Sequence, residues 1–268
     1  MVKKILLIFL LSSQLFALSS LELAKNIVNN SSKKTQLELL FSGQSYTDSN
    51  GNLDIDKISR ILKTNSLLNL ALKNSQSLRL NFKAKADAVL FFKIINDALN
   101  DAGYVYFIPT DLLLKDGEID YTIQVESQYI LDPGTFYTLL KSNSVYIKDI
   151  KRVGSYDYEY NLDFNKAKLK TNINLDLNVP KSLEKPLKDY VLSLKNASSL
   201  AIEANEADNW FPKVLFLDKN LNLIKGVKSE VKNNEFLETI PSGAVYAIIS
   251  DMYSLDNIRR GLKITLKR

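Results

Sequence analysis

Three serines stand three residues ahead of a lysine: Ser31 and Lys34, Ser182 and Lys185, Ser229 and Lys232. On a helix that spacing lets an amine take the proton of a hydroxyl nucleophile, as in serine–lysine hydrolases. With 25 serines and 29 lysines in 268 residues, chance alone supplies about three such pairs, so the spacing carries no information. A second candidate is the turn around Gly51. Aligned on the glycine of a calcium-binding loop, it puts Asp48, Asn50, Leu53 and Asp54 at positions three, five, eight and nine. Tyr46 then takes the first ligand position and Lys57 the last, where a bidentate glutamate should close the cage. An ammonium there repels the cation, so the segment reads as a polar turn before a helix capped by Asp54 or Asp56.

The chain has neither histidine nor cysteine. That removes the histidine bases, imidazole and thiolate metal ligands, nucleophilic thiols and disulfides on which many active sites depend. Carboxylate pairs remain open to glycoside hydrolysis, but such pairs meet only in the fold and nothing singles out two acids among 30. No glycine-rich phosphate loop is present. The expectation is a protein without catalysis, cofactor or metal. Trp210 and Phe211 are the candidate binding residues: exposed, they make a platform for glycan or protein; buried, Trp210 anchors a core.

The elements that must position these residues begin with an address. Lys3 and Lys4 precede the apolar run Ile5–Leu11 and then small residues, which reads as an export signal over residues 1–19, cleaved after Ala17 or Ser19. The run is too short to span a bilayer, and no later segment is long and apolar enough. The formal charge of +5 falls to +3 without Lys3 and Lys4, and the lysines are scattered among acids, which argues against nucleic acid as a partner. The expected location is the periplasm, peripheral to the outer membrane.

Residues 20–76 offer short helices at Leu21–Val28 and Ile55–Leu62, a strand at Gln36–Phe41 and turn residues over Gly43–Asn52. In residues 77–167, Leu78–Phe82 reads as a strand, Ala88–Asp101 as an amphipathic helix capped by Asp87, and Tyr104–Ile108 as a second strand. Forty-five residues on, the pattern returns: alternation over Ile119–Val125, Asp132 as cap, Pro133 at the first helical position, and an exit strand over Val145–Val153. Tyr156, Tyr158, Tyr160, Leu162 and Phe164 alternate with polar residues, as do Leu169, Thr171, Ile173, Leu175 and Leu177. The two runs predict a hairpin with one buried face.

Residues 168–268 read as short strands separated by turns: Leu200–Ala204, Val214–Leu217, Leu221–Ile224, Phe236–Ile240, Val245–Ser250 and Leu262–Leu266. The fold class is α+β, with strand–helix–strand modules followed by an antiparallel, jelly-roll-like β-sandwich. An outer-membrane barrel is excluded by the capped helices and the Lys267-Arg268 end. The segment from Asn209 to Leu221 resembles a strand pair of jelly-roll domains in secreted bacterial proteins. Over the whole length, the signal, the composition, the capped unit Asp87–Ile108 and the tail Ser250-Asp251-Met252-Tyr253-Ser254-Leu255-Asp256-Asn257 resemble FlgQ-type flagellar accessory envelope proteins of Campylobacter relatives. The resemblance implies a motility role without catalysis, beside an outer-membrane lipoprotein of the flagellar motor. The expected partners are envelope proteins, including further copies of the chain. A glycan- or protein-binding sandwich is the second reading and a carboxylate hydrolase the third.

Overall fold

A computed structural model describes residues 18–268; of the expected signal, residues 1–17 lie outside this range. Helix α1 (Ser20–Val28) opens with a capping box. The Ser19 hydroxyl accepts from the Glu22 amide at 3.2 Å, and the Glu22 carboxylate accepts from the Ser19 amide at 2.9 Å. Helices α2 (Lys34–Phe41) and α3 (Ile55–Thr64) follow. The strand expected over Gln36–Phe41 is therefore a helix. Leu37 and Phe41, four residues apart, are buried while Leu39 is 86% exposed, so the period is helical and the Leu-Glu-Leu alternation misleads.

Next come β1 (Ala71–Lys85), α4 (Ala88–Asp101), β2 (Ile108–Lys115), β3 (Glu118–Tyr129), α5 (Pro133–Lys141), β4 (Tyr146–Arg152) and β5 (Asp157–Asp163). They form one sheet in the order β2-β3-β1-β5-β4, with β1 and β5 parallel and every other pair antiparallel. The Asp87 and Asp132 carboxylates cap α4 and α5 as expected. One unit, β1-α4-β2, crosses over a single strand; the other, β3-α5-β4, crosses over two. This is split β-α-β wiring with β5 inserted beside the central strand. No strand forms over Tyr104–Phe107: Gly103 turns the chain at φ +92°, and after the buried Tyr104 both Val105 and Tyr106 are exposed, so the alternation breaks.

One face of the sheet carries the core. Phe82 stacks on Tyr160 with ring centroids 5.3 Å apart and meets Phe136 at 5.6 Å, while Phe91 of α4 meets Phe164 at 5.2 Å. The tyrosines of β5 are thus core residues, and α1, α3, α4 and α5 share this apolar cluster. The opposite face is polar.

The second arm of the expected hairpin does not form. Residues 169–177 are extended but make only isolated bridges, Ile173 to Leu192 and Leu177 to Leu266. Alternation reports a half-buried extended chain whether or not a ladder partner exists, and β5 pairs with β4 and β1 instead.

The remaining strands are β6 (Lys181–Ser182), β7 (Tyr190–Ser193), β8 (Ser199–Ala204), β9 (Pro212–Leu217), β10 (Leu223–Lys228), β11 (Glu235–Thr239), β12 (Tyr246–Asp251) and β13 (Leu262–Lys267). The strand expected at Leu221–Ile224 starts two residues later, because Leu221 sits at φ +70° in a turn closed by the Asp218 carboxylate. Two four-stranded antiparallel sheets result, β10-β9-β12-β7 and β11-β8-β13-β6. Counted within this unit, the second runs sixth, third, eighth, first and the first runs fifth, fourth, seventh, second. That is the double Greek key of a jelly roll. Val214, Phe216, Ala247 and Ile249 face Ile202, Ile264 and Leu266 inside the sandwich. On the outer side of the same sheet, Val191, Leu215, Leu217, Tyr246 and Ile248 join the apolar cluster of the helix-backed layer. Among the described residues no helix is long and apolar enough to cross a membrane.

Candidate functional site

Trp210 is fully buried, so it is no platform. Its indole Nε1 donates to the Ser250 carbonyl at 2.9 Å and its ring lies 6.3 Å from that of Phe236. Its neighbour Phe211, just ahead of β9, is half-buried with Tyr253 edge-on at 5.0 Å. The polar end of the indole is satisfied and its body fills the sandwich, which corrects the binding assignment of Trp210.

The other sequence candidates also find structural roles. The Asp48 carboxylate meets Lys141 Nζ at 2.8 Å and accepts from the Tyr137 hydroxyl at 2.9 Å and from the amides of Asn50 and Asn52. Burial pushes this carboxyl up, but those four donors outweigh it and bring it to about 2. Burial and the Asp48 carboxylate push the Tyr137 hydroxyl far above its usual range. The loop is held by an ammonium, and Lys57 lies over the Tyr46 ring at 4.6 Å. Among the described residues no three Asp or Glu come together as a metal site. Of the serine–lysine pairs, Lys185 binds Asp256 at 2.7 Å, Lys232 donates to the Glu206 carbonyl, and the Ser229 hydroxyl donates to the Val231 carbonyl. Arg260 holds the buried Asp208 at 2.7 Å.

On the polar face of the five-stranded sheet, Lys83 Nζ stands 3.5 Å from Glu159 and 3.7 Å from Asp120. Arg79 pairs with Asp157 at 3.9 Å. The acids that the fold brings together here are interleaved with cations on an open surface. A cleft of about 460 Å³ between the two layers is lined by Lys93, Asp97, Asp101, Lys188 and Asp189, and two of its lysines are engaged with its own acids.

The feature that sequence reasoning missed is β2. All eight of its residues are exposed, including Ile108 at 69%, Leu112 at 47%, Leu113 at 60% and Leu114 at 51%. It is an edge strand, so one row of its backbone N–H and C=O groups has no ladder partner. A tight hairpin positions it. Asp116 and Gly117 both have positive φ, +53° and +79°, which is the type I′ geometry that matches strand twist. The pair Lys115–Glu118 closes the turn and the ladder runs back through Leu113–Asp120. A bulge at Thr110 and the imide of Pro109 end the regular edge at Asp111. The Asp-Gly dipeptide between two apolar runs was the available signal.

No protein-family model, curated protein or solved structure matches this chain.

Proposed function

We propose that this chain is an exported, non-enzymatic structural and assembly factor of the bacterial envelope, working in the periplasm beside the outer membrane. The observation that carries the reading is β2, an open strand edge bearing three consecutive exposed leucines. Such an edge recruits another strand through main-chain hydrogen bonds, with side chains on both faces setting which strand fits. The export signal supplies the address, and the capping box at Ser19 favours the earlier of its two cleavage sites. Cutting after Ala17 keeps Ser19 as the cap of α1, whereas cutting after Ser19 removes it at a cost of about 1 kcal/mol. The whole-chain resemblance adds the motility role and an outer-membrane lipoprotein of the flagellar motor as partner. The strand–helix–strand units behind Asp87 and Asp132 are, in this reading, copies of one module.

The test is the size of the native envelope complex that contains this protein, compared between the natural chain and Leu113→Lys. A lysine on the open edge is a standard block to strand addition. The reading expects Leu113→Lys to be folded, abundant and absent from the complex. A Leu113→Lys protein that assembles normally overturns it.

A further inference from the structure

Resting on the reading of β2 as a docking edge, we infer that its occupant is a second copy of the same strand, paired antiparallel about a two-fold axis through Leu113. The hairpin fixes which backbone groups are free. In a two-residue turn the flanking pair, Lys115–Glu118, exchanges both its hydrogen bonds, so Leu113 and Lys115 direct their N–H and C=O inward to β3. Leu112 and Leu114 therefore direct theirs outward. An antiparallel partner must present outward groups at the same places, which restricts the register to steps of two residues.

Three registers meet that condition within the regular edge. With Leu113 on the axis, Leu112 faces Leu114 of the second copy and Leu114 faces its Leu112, giving four main-chain hydrogen bonds. Asp111 then faces Lys115 of the second copy, and Lys115 its Asp111, so both flanking pairs have opposite charge. With Leu112 on the axis, Leu113 faces Asp111, and Leu114, whose N–H and C=O point outward, runs into the bulge at Thr110. With Leu114 on the axis, Leu113 faces Lys115 and Leu112 runs into the turn at Asp116. Only the central register sets leucine on leucine and acid on base throughout. It also agrees with the two faces of the sheet. Leu112 and Leu114 lie beside Tyr121 and Ile119 on the core side, whereas Asp111, Leu113 and Lys115 lie beside Thr122, Asp120 and Glu118 on the polar side. The product is a continuous ten-stranded sheet with an isologous interface. The contact is small, so the dimer is a weak one that further copies or a shared partner reinforce.

The chain has no cysteine, which makes single-cysteine crosslinking a clean probe. Leu112→Cys, Leu113→Cys and Leu114→Cys are each made in the mature chain and oxidised mildly. Only position 113 meets itself, as a non-hydrogen-bonded pair about 4.5 Å apart between Cα atoms, within disulfide reach. Leu113→Cys is expected to crosslink at least about tenfold faster than the other two, whose own copies lie beyond about 7 Å. Sedimentation gives the second arm. Asp111→Lys and Lys115→Asp should each be monomeric, while an equimolar mixture of the two, and the double exchange D111K/K115D, should dimerise. Fastest crosslinking at 112 or 114, or no recovery on mixing, overturns the proposal. A natural chain that stays monomeric while Leu113→Lys still loses the envelope complex overturns self-pairing and leaves the docking edge standing. A Leu113→Lys chain that assembles normally overturns both.

Discussion

The jelly roll and the helix-backed sheet solve the same problem in different ways. Each ends in strand edges that can recruit foreign chains. In the jelly roll, β6 is two residues long and follows Pro180, and β11 carries Glu235 and Glu238. The edge of β7 is covered by Asn172, whose side chain accepts from the Val191 amide at 2.7 Å and whose amide donates to the Val191 carbonyl. β10 is bulged between Leu223 and Lys225 and bears Lys225 and Lys228. In the five-stranded sheet, β4 is bulged, lysine-rich and covered by α1, whose Asn29 donates to the Arg152 carbonyl at 2.6 Å. Short length, charge, bulges and cover are the ordinary ways to blunt an edge. Five edges use them, although β10 still exposes Leu223 and Ile224 and β11 exposes Leu237 singly. β2 uses them only at its ends, with Pro109, the bulge and Asp111 on one side and Lys115 on the other, and exposes Leu112, Leu113 and Leu114 between them. The contrast within one chain sets β2 apart as the edge with three consecutive exposed leucines.

The largest way to break this comparison is to remove the blunted, self-contained unit. A Cβ on Gly261 would sit 1.8 Å from the Leu183 carbonyl oxygen, where the segment leaving β6 passes the start of β13, and φ there is +76°. Gly261→Ala should cost more than about 4 kcal/mol and abolish the cooperative melting of the sandwich in calorimetry. Trp210→Ala should cost about 3–5 kcal/mol by denaturant titration, through the cavity it opens between the sheets. Since Val191, Leu215, Leu217, Tyr246 and Ile248 join the two layers, both losses should also lower the midpoint of the helix-backed layer.

A middling effect sharpens the contrast from the other side. Asp48 ties its loop to α5 through Lys141 and Tyr137. Its folded carboxyl lies at about 2, below the usual carboxylate value of 3.8, so its contribution is full above pH 4 and is lost as pH falls toward 2. Asp48→Asn should lower stability by about 2 kcal/mol at neutral pH, and the difference from the natural chain should close near pH 2 in acid melts. The smallest stability effect is expected at Leu113, the residue on which the proposed function turns. Leu113 is exposed on an edge, so Leu113→Lys should change the unfolding free energy by no more than about 0.5 kcal/mol.

The same contrast marks what was legible in the sequence. Helix α4 reads at Ala88–Asp101, and the caps Asp87 and Asp132 read directly, because a capped apolar stripe is a local signal. Most sandwich strands read as well, since alternation and turn residues delimit them. Pairing did not read: residues 169–177 alternate like a hairpin arm but run alone between the layers. The burial of Trp210 depends on Phe236 and Ser250, neither of them near it in the chain. Strand β2 was missed for the opposite reason. Its three leucines break the period of two, because neither face of this edge is buried by the described residues.

The most direct test of the account is complementation of a deletion strain by two variants measured side by side. One carries Leu113→Lys on the open edge. The other carries Asp120→Asn with Glu159→Gln, removing the two acids that flank Lys83 on the polar face. The account predicts that the acid variant restores function and that the Leu113→Lys chain, equally folded and abundant, does not. Restoration by Leu113→Lys together with loss in the acid variant would contradict it and move the site from the strand edge to the sheet face.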